Sequence, residues 1–324
     1  MDFKAIGTQE PSMNIANWLD EAGLQYPKRP ALFEGQQPVA NYGAFVALVR
    51  HWAAYLIDEH GIVPGDRVAL LMKNCCEYLE LLYAIWWAGA VAVPINCKLH
   101  PVEAGWIVGN ADARLIFTDG GQVFSPERLP LGCHELDRED MGALTSITSP
   151  PDTPCPRHAD DLAWLFYTPS STGDAQAVML SHGNLTAMSQ DCSPDVDPID
   201  TDEVVVYAAP MSHCAGLYNL IHVRRAARHV VPQSRDFNAD ELFALARGFG
   251  NITLFVAPTM FTYMVEQARL QGYDGKGIKT IIYGDAPIYP TDLRNVVLRN
   301  NYGELLKTEL RLWLKASAND PSTH

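Results

Sequence analysis

LAWLFYTPSSTGDAQAVMLSHGNL, residues 162–185, holds two strands, a loop and the start of a helix in 24 positions. Leu162 to Thr168 is an apolar, aromatic-rich run of strand character, and Ala177 to Leu180 is a second, shorter one. Ser181 then stands where an N-cap belongs, ahead of a helix. Between the strands lies ProSerSerThrGlyAsp, in which Gly173 lets the backbone approach a ligand closely. The hydroxyls of Ser170, Ser171 and Thr172 and the loop N–H groups have the character needed to cradle phosphate oxygens. Read without context, the same cluster is an ordinary turn.

Strands and helices alternate on both sides of this stretch. Upstream, Tyr42 to Asp58 carries Phe45, Val46, Leu48, Val49, Trp52, Ala53, Leu56 and Ile57 at helical spacing. Gly61 to Asp66 reads as a turn, Arg67 to Met72 as a strand, and Asn74 as the cap of a helix from Cys75 to Ala88 that Gly89 ends. Ala90 to Pro94 and Leu115 to Thr118 are further strands. Downstream come Val204 to Ala208, Leu254 to Val256 and Thr280 to Tyr283. Such alternation predicts an α/β fold of parallel-rich sheets covered by helices. Ser125 to Asp160, rich in Pro, Gly, Ser, Thr and charge, reads as a connection. The expected organisation is an N-terminal α/β subdomain over 1–124, a connecting segment over 125–160, a second α/β subdomain over 161–298 and a divergent helical tail over 299–324.

Composition narrows the partners. Of 324 residues, 24 are Lys or Arg and 38 are Asp or Glu, a net charge of −14. That balance repels nucleic acid and anionic lipid. A hydrophobic content of 48% with 19% charged residues supplies a large core and excludes global disorder. The most apolar stretch, Leu81 to Ile95, is shorter than the roughly 20 residues of a membrane-spanning helix and is interrupted by Gly89. The N-terminal residues lack the apolar core of a secretory signal, and the seven cysteines show no CxxC spacing. The expectation is a cytoplasmic protein with reduced thiols, no metal cluster and no membrane span.

Several ordered motifs add a family. The segment containing Tyr167, Thr168, Thr172, Gly173, Val178, Met179, Leu180, His182 and Asn184 resembles the phosphate-loop signature YTSGTTGxPKGVMLTHxN of the adenylate-forming superfamily, which includes acyl-CoA synthetases. Pro210 to Gly216 is similar to that family's PxxHxxG element, Val256 to Met260 to its VPTM segment, and Ile278 to Pro287 to the element that flanks adenine. Upstream, Gly65 to Ala69, Asn74 to Glu77 and Val93 to Asn96 resemble the N-terminal part of such enzymes. The likeness spans about residues 14–298. It implies the fold of the large N-terminal region of an acyl-CoA synthetase.

The resemblance also implies a chemistry. A small carboxylic acid reacts with ATP to give an acyl-adenylate and pyrophosphate, and a thiol, CoA, then takes the acyl group; Mg²⁺ assists. On that basis the nucleotide is expected at Thr168, Ser170, Ser171, Thr172, Gly173, Gln176, Gly284, Asp285, Ala286 and Pro287, and the acid at His213 and Gly216. His213 reads either as a pocket wall or as a polar turn residue. Asp285 either bonds the adenine amino group or simply occupies a turn. Arg224, Arg225, Arg228 and His229 either meet a CoA phosphate or form a solvated helix face, and His182 reads as structural. No GxSxG, GxxxxGK[ST] or GxGxxG element suggests another chemistry.

Departures from the pattern bear on activity. Gln176 stands where the family has Lys, so an amide that donates hydrogen bonds replaces a counter-charge to the phosphates. Ser170 replaces a glycine behind Pro169, and Ala175 and Ala177 replace the family's Pro and Gly. After Leu298 the pattern dissolves, and the residues the family uses later for Mg²⁺, ribose and the adenylation lysine have no counterparts here. No catalytic residue is assigned. The expectations are a family member truncated and inactive alone, or a non-catalytic nucleotide- or acyl-binding remnant or interaction subunit. Either would self-associate or take a complementing partner chain.

Overall fold

The computed structural model of the chain describes residues 12–120, 123–124, 129–138, 150–168, 176–191 and 202–283, with a two-residue strand at 304–305. Helix α1 (Asn17–Gln25) leads into a hairpin of β1 (Pro30–Glu34) and β2 (Gln37–Asn41), turned by Gly35 at φ +55°. The Asn41 side chain caps α2 (Tyr42–Asp58), accepting from the Ala44 N–H at 2.8 Å. β3 (Arg67–Leu71), α3 (Cys76–Trp87), β4 (Val91–Pro94), α4 (Pro101–Asn110) and β5 (Ala113–Thr118) follow as one βαβαβ run, then β6 (His134–Asp137). β7 (Leu162–Thr168), β8 (Gln176–Ser181) and α5 (His182–Asp191) are the elements of the 162–185 stretch. The rest comprises β9 (Val204–Val206), α6 (Cys214–Leu217), α7 (Asn219–Arg224), β10 (Arg228–Val231), α8 (Ala239–Phe249), β11 (Ile252–Val256), α9 (Pro258–Gln271), β12 (Ile278–Tyr283) and β13 (Glu304–Leu305).

Two sheets result. One has six strands in the order β6-β5-β3-β4-β7-β8, the other seven in the order β13-β12-β11-β9-β10-β1-β2. All pairings are parallel except β7–β8, β1–β2 and β12–β13, which place an antiparallel strand at sheet edges. Each sheet draws strands from both sides of the 125–160 segment. The α/β, parallel-rich architecture expected from the alternation is the one observed.

Side-chain alternation along the strands explains the layering. On β3, Val68 and Leu70 enter a core shared with α2, α3 and the inner face of the second sheet, while Ala69 and Leu71 face α4. On β9, Val205 joins the shared core, whereas Val204 and Val206 pack under α8 and α9. Helix α3 lies between the sheets and is buried at every position but Glu77, Trp86 and Trp87 included, as a helix without a polar face must be.

This winding positions a site. From β3 the chain passes to the neighbouring β4 and then crosses back beyond β3 to β5; from β9 it passes to β10 and back beyond β9 to β11. Each sheet therefore has a point where successive connections leave in opposite directions, and crevices for ligands form outside the carboxyl ends of the strands there.

Three elements depart from the sequence expectation. Arg228 and His229 lie on β10, a strand inside the seven-stranded sheet, and not on a helix face; His229 is buried. Arg224 ends α7 with its guanidinium 5.5 Å from the Trp18 ring, and Arg228 bonds the Asp202 carbonyl at 2.6 Å, so the basic cluster is split between elements. Glu304 and Leu305, expected within a helical tail, pair instead with Ile282 and Ile281, because the open edge of β12 offers a ready row of backbone groups.

Candidate functional site

The carboxyl ends of β3 and β4 face those of β9 and β10, and polar side chains join them. Asn74, just after β3, donates through Nδ2 to the carbonyls of Tyr207 and Ala209, both at 2.9 Å, and accepts at Oδ1 from the Met211 N–H, also at 2.9 Å. The sequence reading made Asn74 the cap of α3. The N-cap is Cys75, without a side-chain cap bond, and the Asn74 amide serves the other sheet. Arg235, after β10, donates from Nε to the Asn74 carbonyl at 2.9 Å and from Nη2 to Asp119 at 2.6 Å. Arg138 bridges Asp119 at 3.1 Å and Glu77 at 3.0 Å, and Lys98 pairs with Asp236 at 3.0 Å. Arg235 adopts φ +56°, a costly conformation for a residue with a Cβ, and these bonds fix it there.

His213 sits at this junction, half-buried at the N-cap of α6 in extended backbone. Its Nε2 is 3.3 Å from Asn96 Nδ2, and its ring faces Phe166 of β7 at 6.0 Å between centroids. Asn96 Oδ1 accepts from the Lys98 N–H at 2.9 Å, which fixes the amide orientation and presents Nδ2 to His213. With that orientation the Asn96 amide donates to His213 Nε2. Gly216 is buried, and a Cβ there would lie 1.8 Å from the Met211 carbonyl oxygen, so only glycine lets this turn close. The Asn219 amide caps the same turn by donating to the Gly216 carbonyl, and Asn219 accepts from Tyr83 of α3 at 2.8 Å.

Three of the sequence motifs meet here. Ala209, Cys214, Ala215 and Tyr218 of the 210–216 region pack with Phe255 at the end of β11, Met260 of α9 and Ile282 of β12. Tyr218 and Phe255 stack at 5.7 Å with rings inclined by 29°. The cluster is apolar, built of small and aromatic side chains, and its Cys214 follows His213 directly in the chain.

The nucleotide positions are bracketed by described residues. Thr168 and Gln176 are paired across β7 and β8, so residues 169–175 join two adjacent antiparallel strands. Thr168 is half-buried and Gln176 exposed. Ser170, Ser171, Thr172 and Gly173 lie outside the described residues, as do Gly284, Asp285, Ala286 and Pro287, which follow β12 directly. Ser181 and Asn184 cap α5 reciprocally, at 3.0 and 3.1 Å, as the sequence predicts. His182 is fully buried and its Nδ1 accepts from the Ile15 N–H at 3.2 Å; burial, helped by Arg157, pushes its pKa down to about 4. It is a neutral structural residue. Among the described residues no group of three or more His, Cys, Asp or Glu could hold a metal ion, and six cysteines are free thiols.

Behind the site the seven-stranded sheet buries a polar spine. Glu203, before β9, accepts from Thr253 at 2.5 Å and pairs with Lys279 of β12, while His222 Nε2 stands 3.4 Å away. Burial alone would raise the Glu203 pKa, but His222, Lys279 and Thr253 together outweigh it and hold the carboxyl at about 2. Further along, the Tyr42 hydroxyl donates to the Ala227 carbonyl at 2.6 Å, so toward His229 Nε2, 3.3 Å away, it acts as acceptor. His229 Nδ1 then accepts from Tyr207 at 2.7 Å, and burial depresses the ring's pKa well below its ordinary value. The spine locks β9, β10, β11 and β12 in register, and their carboxyl ends carry the motifs.

The sequence reading missed Phe166, Arg235 and Asp119 as members of this junction. Asn74 and Asn96 were visible only as parts of motifs. Their partners lie 133–137 and 117 residues away in sequence, so no local spacing announces them.

Comparison with known proteins agrees with this geometry. Residues 19–304 match the family model described as AMP-binding enzyme. A feruloyl-CoA synthase from Amycolatopsis sp is 31% identical over 238 residues, covering 72% of this chain and 46% of that protein. A 2-succinylbenzoate–CoA ligase from Bacillus cytotoxicus is 25% identical over 279 residues, covering 84% and 54%. The chain thus spans about half the length of the curated relatives it matches. In fold it is similar to the O-succinylbenzoate coenzyme A synthetase of Bacillus subtilis in complex with AMP, with TM-score 0.73 and 22% identity over 86% of this chain and 70% of that one. It is likewise similar to the N-terminal domain of FACL13 from Mycobacterium tuberculosis, with TM-score 0.74 and 21% identity over 92% and 80%. With a family model spanning most of its length and its motifs gathered at facing carboxyl strand ends, the chain belongs to the AMP-binding enzyme family.

Proposed function

We propose that this chain is the acid- and nucleotide-binding part of an AMP-forming acid–thiol ligase. The carrying observation is that Cys214 and Ala215 of the 210–216 element meet Phe255, Met260 and Ile282 in one apolar cluster, while the adjoining His213 sets its ring against Phe166. A small carboxylic acid would lay its apolar body against Phe255, Tyr218 and Met260, with its carboxylate toward His213. Residues Gly284, Asp285, Ala286 and Pro287 would flank the adenine, and Thr168, Ser170, Ser171, Thr172, Gly173 and Gln176 the phosphates. In the reaction the carboxylate oxygen attacks the α-phosphorus of ATP and the bond to pyrophosphate breaks; the CoA sulfur then attacks the acyl carbon of the adenylate, the thioester forms and AMP leaves. Mg²⁺, when bound with ATP, would spread phosphate charge. It would arrive on the phosphates of the nucleotide, which suits an ion that keeps several waters. No described helix is long and apolar enough to cross a membrane, and free thiols suit the cytoplasm, where ATP and CoA are available.

A binding-only reading of the 324 residues alone is favoured by Gln176, an exposed amide where the family's lysine would neutralise phosphate. Turnover by these residues would then need a cation from elsewhere to neutralise the phosphates. The test is acid-dependent AMP formation over a panel of aryl and medium-chain acids, run beside binding of an acylsulfamoyl-adenosine mimic. Binding without AMP formation is the expected result. Robust AMP formation would overturn the binding-only reading, and no binding of any mimic would overturn the ligase reading itself.

A further inference from the structure

The element that carries His213 is a self-contained turn held from outside. Internally, the His213 N–H donates to the Pro210 carbonyl at 3.1 Å and the Gly216 N–H to the His213 carbonyl at 2.9 Å. These bonds shape the turn without fixing it in the protein. On its leading edge Tyr207, Ala208, Ala209 and Met211 are buried and carry backbone groups that need partners. Asn74 satisfies three of them with its whole side-chain complement, two N–H donors and one carbonyl acceptor. Neither Asp, which lacks the donors, nor an apolar residue of the same size can do this.

Asn74 is in turn anchored on its own backbone. Arg235 Nε bonds its carbonyl at 2.9 Å, the preceding Lys73 N–H meets Asp119 Oδ2 at 3.4 Å, and Asp119 also binds Arg235. Asn74 therefore ties the switch point of the six-stranded sheet to the turn at the switch point of the other, two residues ahead of His213. Asn96 and Phe166, which face the imidazole, both belong to the six-stranded sheet side. The distance between the imidazole and its neighbours is a distance between the two sheets, and Asn74 is a buried bond that sets it.

From this geometry we infer that Asn74 is a positioning residue for the acid site: it holds His213 against Asn96 and Phe166 and touches no substrate. The inference rests on the ligase reading above for its functional consequence, but its structural content is independent.

The test uses the 324-residue chain and Asn74→Ser, which keeps one short hydrogen-bonding group, with Asn74→Leu as the stricter variant. Trp52→Phe serves as the control, because it removes another buried bond, 3.3 Å to Glu80, between α2 and α3 and away from the turn. Two readouts are taken: the imidazole NMR resonances of His213, assigned by their loss in His213→Gln, and affinities for AMP and for an acylsulfamoyl-adenosine mimic. In Asn74→Ser the His213 resonances are expected to shift and affinity for the mimic to fall at least tenfold, with AMP affinity changed less than twofold. Trp52→Phe should leave all three as they were. Unchanged His213 resonances in folded Asn74→Ser would overturn the inference, as would an equal loss of both affinities. Wild-type chain that binds neither ligand would sink the ligase reading instead, and the His213 resonances would then decide the positioning claim alone.

Discussion

The two sheets of this protein are stabilised by different means. In the six-stranded sheet the central strands and α3 pack through hydrocarbon, with Trp86, Trp87, Trp164 and Phe117 among the largest buried side chains. In the seven-stranded sheet the same depth holds Glu203, Lys279, Thr253, His222, His229, Tyr207 and Tyr42. Hydrocarbon packing is non-directional and insensitive to pH, whereas a buried network demands one geometry and one protonation state. The polar half carries the 210–216 element, the VPTM-like segment and the strand before the adenine-side element. The apolar half is the frame against which that half is positioned.

The largest break in this comparison comes from Lys279→Met. It leaves the Glu203 carboxylate buried without its ammonium partner, at a cost of about 3–5 kcal/mol in denaturant unfolding. Adding Glu203→Leu should recover most of that loss, because both charges are then gone. The wild-type dependence on acid has a fixed sign. Glu203 is held at about 2 against an ordinary glutamate value of 4.5, so its contribution is complete above about pH 5 and is lost as pH falls toward 2. Stability that stayed flat over that window would show that the pair contributes nothing.

A smaller effect of opposite sign belongs to the apolar half. Glu80 is an isolated carboxylate in the hydrocarbon layer, and burial, with the neighbouring Glu77, pushes its pKa up to about 7. A raised acid favours the protonated fold, so stability falls as pH rises from about 4.5 to about 7 and is flat above. Glu80→Gln keeps an acceptor for the Trp52 indole and should stabilise the protein by about 2 kcal/mol at pH 8, and hardly at all at pH 4. Melting curves at the two pH values check it; equal shifts at both would contradict the assignment.

How much of this was legible in the sequence follows from range. The β7–loop–β8 stretch, the Ser181 cap, α2 and β12 all show themselves through neighbours within a few residues. The β1–β2 hairpin was missed although Gly35, between two short apolar runs, is a usable turn signal. Arg224, Arg225 and Arg228 suggest a solvated helix face where β10 lies, because the burial of that strand depends on β9 and β1 on either side. The roles of Asn74 and of the Glu203–Lys279 pair were hidden for the same reason: the bonds join residues 76 to 137 positions apart.

The smallest expected effect lies on the solvent edge of the six-stranded sheet. Gln176→Lys would restore a cation beside the expected phosphates, strengthening MgATP binding by about 1 kcal/mol, roughly fivefold, at an exposed position. Calorimetric titration of both variants reads it, and unchanged affinity would place the phosphates elsewhere.

The central claim is that the acid binds where the carboxyl strand ends of the two sheets face each other. Its most direct test is calorimetric titration of the 324-residue chain and of His213→Ala with an acylsulfamoyl-adenosine mimic of an aryl acid. The account predicts saturable one-to-one binding by the wild-type chain, weakened about tenfold by His213→Ala, the equivalent of about 1.4 kcal/mol. Binding that is the same in both proteins would contradict it, because the acid would then lie away from His213, Phe166 and Asn96.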